Sequence, residues 1–266
     1  MFQLPKEWQN DRLLAFFMRH VVPIYFDLRK DDERRHIIFT AFLFSVYDRW
    51  LLMTAGHCIT NMQKWRAYGY EVVACRLLDG LGSNAKFKDH PVPFDYDEAQ
   101  PIMLGIHETW DYGVLFPSDN TRALLEANGV VPFTEQSWEP LVEHFETFRL
   151  VGIPAELTVE TTPQELSITM LFPRLIEEAQ RPEGFEDTDA PMFYASLPPS
   201  NPLSGLEGLS GSPIIGLAFV EGQLRYWLHA MQVSALRGKY ISGMLMRPLG
   251  KFLKEVCEGK HGNGGL

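Results

Sequence analysis

Gly208-Leu209-Ser210-Gly211-Ser212-Pro213 sets one serine between two glycines, three residues ahead of a proline. Glycine on either side permits a tight turn through backbone angles that other residues resist, and such a turn exposes the hydroxyl it carries. A serine hydroxyl is a poor nucleophile until a base takes its proton during attack. The turn therefore gains meaning only if the chain also supplies a histidine and a carboxylate in suitable settings.

Two segments upstream supply them. Thr54-Ala55-Gly56-His57-Cys58 follows the apolar run Trp50 to Thr54, and Asp111-Tyr112-Gly113-Val114-Leu115 opens a short apolar run of its own. Along the chain the order is His57, Asp111, Ser210, with gaps of 54 and 99 residues. In residue type, order and context the three segments resemble the histidine, aspartate and serine motifs of the trypsin/chymotrypsin family of serine proteases. An α/β-hydrolase does not fit, because it needs Ser before Asp before His and a G-x-S-x-G elbow with glycine where Ser212 stands.

The resemblance runs from about Val21 to Val256. It implies His57 as general base, Asp111 holding its tautomer, and Ser210 as nucleophile. It also implies an oxyanion hole made by the backbone N–H groups of Gly208 and Ser210, each worth roughly 3 to 4 kcal/mol. No cofactor and no metal are expected: His107, Glu108 and Asp111 lie close together, but their spacing matches no helical or finger pattern. The chain is similar to the bacterial HtrA-like branch, without the appended peptide-binding PDZ domain.

Departures from the family pattern carry information. Secreted members bond the cysteine after the histidine to one on the preceding strand, yet Ile37 to Tyr47 has none for Cys58. Many members place aspartate directly before the serine, where it pairs with a new N-terminus after zymogen cleavage. Leu209 stands there and forms no such pair, so activity without N-terminal trimming is expected. Ile37-Ile38 follows a basic run, but it lies only 20 residues before His57 and inside an expected strand. Gly56 and Ser212 replace an alanine and a glycine, and Ser212 is expected to crowd the oxyanion turn. By the family's layout the pocket for the residue before the cleaved bond takes Ser204 at its base, Glu207 at its mouth, and Val233, Ser234 and Ala235 on its wall. A neutral Ser204 favours small or apolar side chains over arginine.

A chain of 266 residues, 45% hydrophobic, buries a sizeable core. Its many short β-rich runs sort into two halves, predicting an all-β fold of two packed six-stranded antiparallel barrels of the chymotrypsin type with a C-terminal helix. The expected N-terminal barrel spans about 21–118, the crossover 119–146, the C-terminal barrel 147–257, and a flexible tail 258–266. Helices are expected over Asn10 to Arg19, briefly between Asn120 and Asn128, and after Pro248, where Leu249, Phe252, Leu253 and Val256 share one face. Asp79 to Gln100 and Pro173 to Pro202 read as long loops without a family signature.

The net charge of −10 excludes the basic footprint that nucleic acid demands. The longest apolar run near the N-terminus, Leu13 to Met18, is too short for a signal peptide or a membrane span. Three widely spaced cysteines, Cys58, Cys75 and Cys257, make no disulfide framework. The expectation is a cytoplasmic serine endopeptidase whose partner is a protein or peptide substrate, with neither nucleic acid nor membrane. An inactive peptide-binding relative and a hydrolase of non-peptide esters are the alternatives. Control through a regulatory partner, within a bacterial response system such as antiphage defence, is the expectation for a protease lacking a zymogen lock.

Overall fold

Seven strands fill the described N-terminal half in a computed structural model of the chain, which describes residues 10–78, 91–99, 110–162, 165–199 and 205–259. After helix α1 (Asn10–Met18) come β1 (Ile24–Lys30), β2 (Glu33–Phe39), β3 (Phe42–Val46), β4 (Arg49–Thr54), helix α2 (Gly56–Ala67), β5 (Glu71–Leu77), β6 (Val92–Pro93) and β7 (Gly113–Leu115). They pair antiparallel in two sheets, β2-β1-β5-β6 and β3-β4-β7. The sheets are stitched where Val21 bridges Phe42 and where Leu43 N–H donates to His20 O.

Among the described residues these strands stand as two sheets and do not form one closed ring. β6 is two residues long and among the described residues pairs with β5, and Pro93 within it has no N–H to give to a ladder. The rest of the Asp79 to Gln100 loop, apart from 91–99, lies outside the described residues.

Helices α3 (Asp119–Ala127) and α4 (Glu135–Trp138) occupy the crossover. The C-terminal half holds β8 (Thr147–Leu150), β9 (Thr158–Thr162), β10 (Glu165–Ile168), β11 (Arg174–Glu177), β12 (Met192–Ser196), β13 (Pro213–Val220), β14 (Gln223–Leu236), β15 (Tyr240–Leu245) and helix α5 (Met246–Cys257). Six of these strands close a barrel in the order β11-β12-β15-β14-β13-β8, and β8 pairs back onto β11. Two of its staves, β11 and β12, come from the stretch Pro173 to Pro202 that reads as a loop. The β9-β10 hairpin stands outside the ring.

Three apolar clusters explain why the halves pack. Leu43 and Leu52 point into the first half with Val22, Phe26 and Leu115, while Leu150, Leu209, Ile214 and Ile241 fill the barrel. Alternate residues on the same strands, Phe42, Phe44 and Met53 against Ile215, Leu217 and Met231, meet between the halves together with Leu249 and Leu253 of α5. Strands buried on both faces read as continuous apolar runs, which is how β3, β4 and β13 look in sequence. The cleft between the halves is thus set by a core of its own.

No helix among the described residues is long and apolar enough to cross a membrane. All three cysteines are free thiols.

Candidate active site

His57 is the second residue of α2, a helix the sequence reading does not foresee, and it sits directly past the end of β4. Asp111 precedes β7, which pairs with β4 through Thr54 and Gly113. That pairing brings the two side chains together. His57 Nδ1–H donates to Asp111 Oδ2 at 2.7 Å, and the backbone N–H of His57 donates to Asp111 Oδ1, also at 2.7 Å. A carboxylate only accepts, so the Nδ1 proton is fixed and Nε2 is left as the basic nitrogen.

The approach is close enough to require the glycine before the histidine. A Cβ at Gly56 would stand 2.9 Å from both Asp111 Oδ1 and Tyr112 O. Trp110 and Tyr112, on either side of Asp111, pack edge-on against Phe252 of α5, so the terminal helix braces the aspartate segment. The Asp111 hydrogen bond, reinforced by the neighbouring Cys58 side chain and opposed by burial, pushes the His57 imidazolium up to about 10. The imidazole remains 41% exposed, open to a substrate and to solvent.

Ser210 lies on a turn that joins Leu206 to β13. Gly208 and Gly211 both adopt left-handed backbone, φ +84° and +88°, as the flanking glycines lead one to expect. Gly211 is pressed against the histidine segment: a Cβ there would lie 2.1 Å from Thr40 O, 2.5 Å from Thr54 Oγ1 and 3.2 Å from Ala55 N. The residue after Ser210 therefore touches the strand end that delivers His57. Among the described residues no backbone hydrogen bond takes the N–H of Gly208 or of Ser210.

Leu209 is fully buried in the barrel cluster with Leu206 and Ile214, so an apolar anchor occupies the place of an ion pair. Ser212 does not crowd the turn as expected. Its side chain is buried under Gly152, where a Cβ would fall 2.0 Å from Ser212 Oγ. The hydroxyl occupies space that the glycine leaves free.

The expected pocket residues are only partly brought together. Ser204, like His107 and Glu108, lies outside the described residues. Glu207 is exposed on the serine turn, and its carbonyl accepts from Ala155 N–H at 2.8 Å. Val233 is buried at a bulge in β14, whereas Ser234 and Ala235 are exposed. Ser234 Oγ and Ser242 Oγ are 2.8 Å apart. The serine turn continues the pairing to Gln232, which bonds Gly211 N–H and Ser212 O, and past it the Val233 to Leu236 stretch of β14 pairs only with β15 among the described residues.

Other titratable groups near the barrels are structural. His229 packs against Phe145, Phe148 and Phe193, and burial pulls it down to about 4. His20 stacks on Phe133, hydrogen-bonds Val131 O, and is likewise pulled down to about 4 by burial. No group of three potential metal ligands occurs among the described residues. The sequence reading missed Thr40, Gly152 and Ile153, none of which belongs to a recognisable motif.

No family model matches the chain, and no curated protein matches it. Among solved structures it is similar to a scabies mite inactivated protease paralogue, with a TM-score of 0.52 and 11% sequence identity over 92% of this chain and 96% of that one. The likeness supports a trypsin/chymotrypsin-like fold.

Proposed function

We propose that the chain is a serine endopeptidase. Ser210 Oγ attacks the scissile carbonyl as His57 Nε2 takes its proton. The imidazolium then returns that proton to the leaving amine, and water hydrolyses the acyl-enzyme by the same route. Asp111 holds the tautomer and balances the imidazolium, and the N–H groups of Gly208 and Ser210 receive the oxyanion. The observation that carries this reading is the double hydrogen bond from His57 to Asp111, made by ring and backbone together. A structural histidine has no need of a dedicated carboxylate that also leaves its other nitrogen accessible.

The Val233 to Leu236 stretch, paired only with β15 among the described residues, supports a peptide as substrate, since an extended chain can add to it as a strand and run toward Ser210. Free thiols fit a reducing compartment such as the cytoplasm, and substrate selection is assigned to the chain's own cleft or to a regulatory partner. Mass analysis of digests of a peptide library, run beside a set of simple esters, tests the assignment. Cleavage of peptides that disappears in Ser210→Ala is expected; turnover of esters alone moves the assignment to a non-peptide hydrolase. A second reading rests on the solved neighbour, which is an inactivated paralogue: a silent barrel that keeps its cleft to hold a peptide. Peptides bound but never cut, with Ser210→Ala indistinguishable from the native chain, is the outcome that reading requires.

A further inference from the structure

Thr40 is buried in the two-residue link between β2 and β3, against the serine turn. Its hydroxyl donates to Gly208 O at 2.9 Å and accepts Ile153 N–H at 3.3 Å. Its carbonyl accepts the Thr54 hydroxyl at 2.8 Å and forms the wall against which Gly211 is packed. One side chain of the first half thus holds the serine turn of the second half and the strand-like segment beneath it.

The consequence lies in peptide planes. Gly208 N–H belongs to the same planar unit as Glu207 O, and in a trans peptide the two point opposite ways. Ala155 N–H donates to Glu207 O, so the direction of Gly208 N–H follows from where Ala155 stands. On the other side of Gly208, its own carbonyl is held by Thr40 Oγ1. Thr40 also holds Ile153, two residues before Ala155. Glycine at position 208 is free to flip either plane, and its close approach to Ala155 N and Ile153 O, 2.6 Å and 2.8 Å from a would-be Cβ, leaves no side chain to prevent it. Both planes flanking Gly208 are pinned by bonds that pass through, or next to, Thr40.

We propose that Thr40 is a positioning residue: its hydroxyl holds the Gly208 turn with the N–H aimed at the oxyanion, in the role that an ion pair to the residue before the serine would otherwise fill. The proposal rests on the hydrolase reading above, and its test separates the two. Thr40→Val keeps the shape and removes the hydroxyl. The rate at which a fluorophosphonate probe labels Ser210 is expected to fall roughly tenfold or more. The loss should appear in the limiting rate and not in the half-saturating probe concentration. Thr40→Ser should restore labelling to within about threefold, and the pH profile should be unchanged because the His57–Asp111 pair is untouched. If Thr40→Val does not fold, Thr40→Cys, whose thiol is a weak donor and acceptor, replaces it with the same expectation. Labelling of the folded variant at the native rate overturns the proposal. If the native protein is not labelled at all, the hydrolase reading fails, and amide exchange still decides the clamp. Ala155 N–H should exchange faster in Thr40→Val than in the native chain and return to native protection in Thr40→Ser, while unchanged exchange at Ala155 overturns it.

Discussion

At His57 the decisive quantity is the proton. In the proposed mechanism only neutral imidazole can take the Ser210 proton, and the Asp111 carboxylate favours the charged form, raising the histidine to about 10. Below that value the neutral fraction grows about tenfold per pH unit, so the labelling rate of Ser210 should climb steeply from pH 6 to 9 and level off near 10. Asp111→Asn should shift the climb toward the ordinary histidine range and lower the plateau by about 10⁴-fold; a pH–rate profile of both proteins checks this. The same shift has a stability side. A histidine whose pKa is raised by folding contributes stability in full below its unfolded value, and that contribution is lost as pH rises through about 10. With the ring 41% exposed, solvent reduces the effect.

Ser212 and Gly152 form a second residue-scale pair. Gly152→Ala forces a Cβ onto Ser212 Oγ and should lower the melting temperature, with a cost of about 1 to 3 kcal/mol from overpacking. Adding Ser212→Gly should recover part of that loss; no recovery in the double variant counts against the contact. The segments around His57, Asp111 and Ser210 stand out in the sequence because each is a short motif and their order is informative, and the fold brings His57 and Asp111 within hydrogen-bonding distance. Thr40, Gly152 and Ile153 do not, because their contacts reach far along the chain, from Thr40 to Ile153 and Gly208 and from Gly152 to Ser212, and no local pattern records them.

At the scale of elements, legibility followed the apolar pattern. β4 and β13 are apolar runs, β14 is rich in β-formers between Leu224 and Val233, and α5 carries a helical stripe, so each is readable in sequence. α2 is not: its buried positions Cys58, Ile59 and Met62 are few, and the polar run Thr60, Asn61, Gln63, Lys64 hides them. β11 and β12 went unseen because β11 has only Leu175 buried, with Arg174, Ile176 and Glu177 outside, and the two are separated by a long polar, proline-containing stretch. Leu209 anchors the serine turn in the barrel, so Leu209→Asp places a charge in an apolar cluster with no partner. A loss of roughly 3 kcal/mol or more is expected. Chemical denaturation measures it, and a variant as stable as the native chain would mean that the turn is not anchored there.

Over the whole molecule, the described strands before the crossover lie in two open sheets, and the closed barrel lies after it. Among the described residues the first half shows its strands as sheets of four and three. What holds the site in one piece is the core between the halves, which joins the β3-β4 hairpin, the β13-β14 hairpin and α5. Because Leu209 and Thr40 hold the turn without an ion pair to a new N-terminus, the full-length chain with Met1 intact should react without prior cleavage. Intact-mass analysis before and after labelling reads this directly.

That same measurement bears on the central claim. Incubation of the full-length protein with a fluorophosphonate probe should add one adduct, mapped by peptide analysis to Ser210, at a rate that drops by orders of magnitude in His57→Ala and to zero in Ser210→Ala. An unmodified native protein, or equal labelling of the native chain and Ser210→Ala, would contradict the account.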